Sequence, residues 1–201
     1  MRRLVTFLVL FLSLGTAYMA MADDDDHDKS HRLHARLSGY NEVHFVAGNF
    51  TVTPVVPPAL RGAVSTAARG RFKAKIDEEK KVIEYALHYK GLEGGAVSQA
   101  HIHFGQKHTV GGIVVWLCQT AGTPAPSAVA ALTPFCPEEG TVTGTITEEQ
   151  ILAQDLQGFD GGNFDELVRA IHAGATYVNV HSLPRFGPGE IRGQLKDDDD
   201  D

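Results

Sequence analysis

Polar and apolar residues alternate over much of the chain. From Arg69 to Asp77, Phe72, Ala74 and Ile76 fall on one side and Arg71, Lys73 and Lys75 on the other. After the polar turn Asp77-Glu78-Glu79-Lys80, the stretch Val82 to Tyr89 alternates again, with Ile83, Tyr85, Leu87 and Tyr89 in phase. Successive side chains of a strand point to opposite faces, so the two stretches predict an antiparallel hairpin with one face in a core and one in water. Residues 98–104, 112–117, 141–147, 176–182 and 190–195 are further strand-like stretches, separated by short breaks rich in Gly and Pro. The pattern predicts an all-β fold, an antiparallel sandwich or barrel-like domain of Greek-key type.

Two short helices are predicted from their caps. Thr147-Glu148-Glu149-Gln150 and Asn163-Phe164-Asp165-Glu166 both read as capping boxes. After the second, Phe164, Leu167, Val168 and Ile171 form one apolar stripe, and Gly174 is the stop. Asp160-Gly161-Gly162-Asn163 lacks the ligand series and the distal Glu of a calcium loop, so it reads as a helix-entry turn.

The first 22 residues differ from the rest. Arg2 and Arg3 precede the apolar run Leu4 to Leu14, and Ala20-Met21-Ala22 fits the small-x-small pattern of a cleavage site. This predicts a secretory signal peptide over residues 1–22, cut before Asp23. A membrane anchor is the alternative, but the run is short for about 30 Å of hydrocarbon. Residues 23–35 read as an acidic His/Asp-rich tail and residues 196–201 as a second acidic tail, with the domain between them. Most of the net charge of −7 resides in the chain's ends. Residues 30–195 hold 14 Lys and Arg against 15 Asp and Glu. A broad basic nucleic-acid surface is therefore not predicted, nor is stable membrane insertion after cleavage.

Two cysteines, Cys118 and Cys136, are the complete set. Export permits a disulfide, and an even count favours one bridge.

The ten histidines raise the question of chemistry. His101-Ile102-His103 places two imidazoles on one face of a strand. In Tyr177-Val178-Asn179-Val180-His181, the valines share a face and Tyr177, Asn179 and His181 share the other. If the strands are neighbours, His101, His103 and His181 converge. Three His with an open position is the ligand set of catalytic zinc and of some copper sites. Glu190 and Arg192 share a face of the last strand and can support the patch or pair with each other. The competing readings are a buried polar network of His, Asn, Tyr, Glu and Arg that pins strand register, and an anion or ligand patch. His27, His31 and His34 form a second, weaker metal-binding set in the tail, against the reading of a solvated segment.

Three separated motifs carry a family resemblance: Ala100-His101-Ile102-His103-Phe104-Gly105, Tyr177-Val178-Asn179-Val180-His181 and Gly189-Glu190-Ile191-Arg192-Gly193-Gln194. With the opening stretch Leu37-Ser38-Gly39-Tyr40-Asn41-Glu42-Val43, they resemble the CHRD (chordin-type) domain over residues 36–195. Cys118 and Cys136 resemble the cysteine pair of its bacterial members. The resemblance implies a secreted or periplasmic, β-sandwich-like domain with no established enzyme activity. Residues 44–63 depart from the family pattern and read as an insertion, with Pro54, Pro57 and Pro58 in an extended loop and Asn49-Phe50-Thr51 as a glycosylation sequon. The H-x-H strand also has a local likeness to copper/zinc superoxide dismutase, without that enzyme's zinc loop.

The functional expectation is an exported, non-enzymatic binding or structural protein whose partner is an extracellular or envelope protein or polymer. The alternative is a copper- or zinc-binding protein, or beyond that a dismutase-like metalloenzyme. No G-x-S-x-G, H-E-x-x-H or Walker loop is present. Intact-mass measurement of the exported chain is expected to show Asp23 as its first residue. A mature chain retaining Arg2 and Arg3 would refute the signal-peptide reading.

Overall fold

Alternation produces strands wherever one phase is apolar enough to bury. In the computed structural model, which describes residues 30–43, 45–46, 59–60 and 62–198, these are β1 (Ser30–Ser38), β2 (Phe45–Val46), β3 (Ala59–Leu60), β4 (Arg69–Asp77), β5 (Val82–Lys90), β6 (Gly95–Phe104), β7 (Gly112–Cys118), β8 (Gly140–Ile146), β9 (Thr176–Pro184), β10 (Phe186–Gln194) and β11 (Lys196–Asp197). The main sheet runs β7-β6-β9-β10-β1-β4-β5-β8, with β11 on β1, and curls into a nearly closed barrel. Every pairing in it is antiparallel. The Tyr85 hydroxyl, on β5, donates to the Leu117 carbonyl of β7 at 2.6 Å and ties the two ends of the sheet.

The interior is filled by the apolar phase of each strand. Phe72, Ile76, Leu87, Ile102, Val178, Val180 and Ile191 are all buried there. The expected hairpin is β4–β5, in a register that sets Phe72 opposite Leu87 and Ala74 opposite Tyr85. Its outward residues Arg71, Lys73 and Lys75 are exposed.

Helix α1 (Phe164–His172) closes one end of the barrel. The Asn163 side chain accepts from the Glu166 amide at 3.0 Å, and Leu167, Val168 and Ile171 are buried. Gly174 turns the chain out with φ +64°. Glu166 bonds the Asp160 amide, so this cap is one-sided. The second expected helix is corrected. The Thr147–Gln150 capping box forms, but it caps a single 3-10 turn, Glu148–Gln150. The chain is then drawn onto β7, where the Leu152 amide donates to the Val114 carbonyl at 2.9 Å, and a helix cannot continue.

The sheet reaches into both segments read as tails. Leu33, Ala35 and Leu37 are buried, so strand β1 starts at Ser30 and occupies much of the segment read as residues 23–35. Lys196 pairs with His34 and Asp197 with Leu33, so the second tail also begins inside the sheet. Within 44–63, the ends of the expected loop pair as β2 and β3. The signal peptide, His27, the sequon and the three prolines lie outside the described residues.

Cys118 and Cys136 are disulfide-bonded. The bridge closes the loop 119–135, which Gln119 braces by donating to the Ala130 and Thr133 carbonyls and accepting from the Ala125 amide. The loop packs Ala125 and Val129 on Trp116 in a small second core outside the barrel. Closing a loop of this length is worth about 3 kcal/mol. Replacing both cysteines with Ala is expected to lower the melting temperature by roughly 10 °C. An unchanged melt would show that the side-chain bonds of Gln119 already hold the loop.

Candidate metal centre

Strand β9 lies between β6 and β10, and period two sends its alternate residues to opposite sides. Val178 and Val180 enter the barrel, while Tyr177, Asn179 and His181 point outward beside His101 and His103 of β6. The register sets His101 opposite Asn179 and His103 opposite Tyr177. From the sequence this face reads either as a hydrogen-bonded surface or as a buried polar network. His101, His103, Tyr177, Asn179, His181, Glu190 and Arg192 are all buried. Trp116 covers one side, its ring 4.3 Å from that of His101. The 105–111 turn, Glu42 and the β9–β10 connection supply the rest of the cover.

One nitrogen from each of His101, His103 and His181 lies within 4.8 Å of one from each of the others. The partners on their far sides set the tautomers. His103 Nδ1 lies 2.9 Å from the Gly111 carbonyl and His181 Nδ1 lies 2.7 Å from the Gly187 carbonyl. A carbonyl only accepts, so both Nδ1 atoms carry hydrogen and both Nε2 atoms present lone pairs. His181 Nε2 faces His101 Nδ1 at 3.1 Å and Asn179 Oδ1 at 3.0 Å. His101 Nε2 and His103 Nε2 are buried with no hydrogen-bond partner.

Burial holds all three imidazoles neutral. Desolvation, then the charges of His181 and His103, push His101 well below the ordinary value. Desolvation takes His103 to about 3, against the bond to Gly111, and His181 to about 4, against the bond to Gly187.

The expected supporting residues are present in altered roles. Tyr177 stacks on His103 with ring centroids 4.7 Å apart, and its hydroxyl accepts from the Gly111 amide at 3.2 Å. Arg192 lies 3.3 Å over the other side of Tyr177 and donates to the Thr109 and Gln106 carbonyls. It thereby pins the turn that orients His103. Glu190 does not pair with Arg192. It accepts from Thr66 Oγ1 at 2.6 Å, from the Glu93 and Gly94 amides at 2.7 and 3.1 Å, and from the Ser182 hydroxyl. Its carboxylate is consumed in holding the loop before β6.

The tail set His27, His31 and His34 is not assembled among the described residues. His31 and His34 are three apart on β1 and face opposite sides. His34 bonds Asp198 at 2.8 Å, while His31 sits 3.5 Å from Glu78 and against the His172 ring. The sequence reading also missed Glu42, though its motif contains it. Glu42 is buried and accepts from the Val43 amide at 3.0 Å. Desolvation raises its carboxyl to about 7, against the Val43 bond, the Arg192 charge and Asn179. Gly189, at φ +134°, makes room for it: a Cβ there would stand 2.5 Å from Glu42 Oε2.

The comparisons bear on this arrangement. The family model described as the CHRD domain matches residues 33–195. The chain belongs to the CHRD domain family. No curated protein and no solved structure matches it. CHRD domains are typically extracellular, which accords with the disulfide. Among the described residues no helix is long and apolar enough to cross a membrane. The histidine centre therefore lies within the family's domain, on strands β6 and β9.

These protonation states set a pH dependence for the metal-free CHRD domain. Between about 4 and 6.5 the unfolded chain binds protons that buried His101, His103 and His181 refuse, so folding stability falls as pH drops through this window. Glu42 acts oppositely: between 4.5 and about 7 the folded chain holds the extra proton, so its contribution grows as pH falls. Three imidazoles against one carboxyl leave a net loss on acidification. Denaturant melts at pH 6.5, 5.5 and 4.5 are expected to show declining stability. A flat or rising profile would mean that the imidazoles are hydrated.

Proposed function

We propose that this CHRD domain is an exported metal-binding protein that holds one copper or zinc ion on His101, His103 and His181. The observation that carries the reading is the convergence of one nitrogen from each of three buried histidines within 4.8 Å, with His103 Nε2 buried and unpartnered beside the His101 Nδ1 and His181 Nε2 pair. Leaving a buried polar atom unsatisfied costs about 1–3 kcal/mol, and a bound cation removes that cost. Neutral imidazole suits zinc and copper, and copper(II) is the stronger binder at a given nitrogen site. Two nitrogens on one tetrahedral ion at about 2.0–2.1 Å stand roughly 3.3 Å apart. His101 Nδ1 and His181 Nε2 are 3.1 Å apart. The carbonyls of Gly111 and Gly187 orient the rings from behind, as partners of metal-bound histidines do.

Burial favours holding an ion over turnover. Catalytic metals keep a position open to substrate, whereas these imidazoles are at most 7 % exposed. The reading is thus non-enzymatic, with the metal as the bound partner. A second reading, a purely structural polar network, is favoured by the bond of His181 Nδ1 to the Gly187 carbonyl and by the 3.1 Å approach of His101 Nδ1 to His181 Nε2.

The test is metal content. The exported chain, equilibrated with copper(II) or zinc and dialysed, is expected to retain one equivalent. His103→Ala is expected to lose it, and His31→Ala with His34→Ala to keep it. His181→Ala is expected to destabilise the metal-free chain by about 1–3 kcal/mol and to abolish the metal-induced rise in melting temperature. No retained metal in the parent chain, or metal surviving His103→Ala and His181→Ala, would leave the structural network as the answer.

A further inference from the structure

Half of the cations of the near-neutral body sit together on the outer face of β1, β4 and β5. The strand registers set like charges directly opposite one another: Arg36 against Arg71 and Arg69 against Lys90. Arg71 also faces His88 on its other side. Directly opposed like charges destabilise a sheet, and interspersed signs would avoid the penalty at no cost to the core. The acids of this face, Glu84 and Asp77, stand away from this group, Glu84 opposite Lys75 and Asp77 at the end of β4. The cations rim a depression of about 600 Å³ in which Arg36, Arg69, Arg71, Lys73 and Lys90 meet. No carboxylate lines it, and short Ala86 belongs to its wall.

The spacing and the residue types define the ligand. Neighbouring strands lie about 4.8 Å apart and alternate residues along a strand about 6.7 Å apart. The face is therefore a grid of positive groups that a linear, closely charged polyanion can follow. Three of its members are arginines, whose planar forks bind carboxylates through two parallel bonds. A carboxylate already sits at the edge, where Asp198 Oδ1 lies 2.8 Å from His34 Nδ1. The exposed large apolar residues, Tyr40, Val110, Leu132, Phe135, Leu156 and Leu183, all lie off these three strands. The face thus offers no aromatic ring for stacking bases and no wedge for a lipid surface.

We propose that this face is a docking surface for an acidic polysaccharide, a linear chain carrying a carboxylate on its sugar rings. The interaction is electrostatic and separate from the histidine centre, which lies on β6 and β9.

The test is binding of the exported chain to polygalacturonate, with dextran sulfate as the comparison. Binding that weakens with added salt is expected. Arg71→Glu is expected to weaken it at least tenfold. The same charge change on α1, Arg169→Glu, is expected to leave it within twofold. Arg71→Glu is also expected to keep or raise the melting temperature, because it turns the Arg36–Arg71 like-charge pair into an opposite-charge pair. Loss of binding without loss of fold distinguishes a ligand surface from a structural one. Equal losses in the two variants would reduce the effect to net charge and overturn the proposal. Binding to dextran sulfate alone would overturn the carboxylate assignment. Binding only by a chain ending at Asp197 would overturn the external partner, making the acidic C-terminal segment the occupant.

Discussion

Strand β9 is buried on both faces, and the rest of the molecule answers to that constraint. On its inner side Val178 and Val180 need only apolar neighbours. On its outer side Tyr177, Asn179 and His181 need hydrogen-bond partners, because a buried polar group without one is costly. The cover over this side is accordingly made of backbone carbonyls and amides as well as of Trp116. Arg192 secures the 105–111 turn, Glu190 secures the 93–94 loop, and both reach from β10. The polar layer is satisfied at its edges and left open at its centre, on His101 and His103. That distribution is what the proposed cation would complete.

The molecule uses charge in two opposite ways. In the covered layer, desolvation removes charge: the imidazoles stay neutral and the Glu42 carboxyl rises to about 7. Neutral imidazoles are the form that binds metal, so burial keeps these three in the state the proposed ion requires. On the face of β1, β4 and β5, water screens the cations and allows like charges to stand opposite one another. Both arrangements cost folding stability, and both leave unmet interactions that a ligand can complete. The two cores and the disulfide-closed loop carry that cost.

Much of this was legible in the residues. The β4–β5 hairpin follows from strict alternation, and α1 follows from Asn163 and its apolar stripe. The shared face of His101 and His103, and that of Tyr177, Asn179 and His181, follow from period two alone. The strand β1 was hidden because His31 and His34, beside an Asp-rich run, resemble a tail more than the alternation of Leu33, Ala35 and Leu37 resembles a strand. The Thr147 box named a helix start correctly and its length wrongly, since β7 captures the chain beyond it. Glu190 and Arg192 share a face, yet each is taken by a loop distant in sequence. Glu42 is polar and sits in a Gly-containing turn, and nothing local marks it as buried.

Side-chain direction and capping are short-range matters, decided within a few residues by sterics and backbone hydrogen bonds. The strands, the apolar phase, α1 and the separate faces of the histidines therefore follow from local pattern. Which strands become neighbours, and what lies over their outer faces, depend on loops brought from 40 or more residues away, as Glu42 and the 105–111 turn are brought to β9. Only that assembly excludes water from the histidine face, neutralises its rings and orients their lone pairs. It likewise sets Arg36 beside Arg71, because pairing between strands, not spacing along one of them, creates the basic grid.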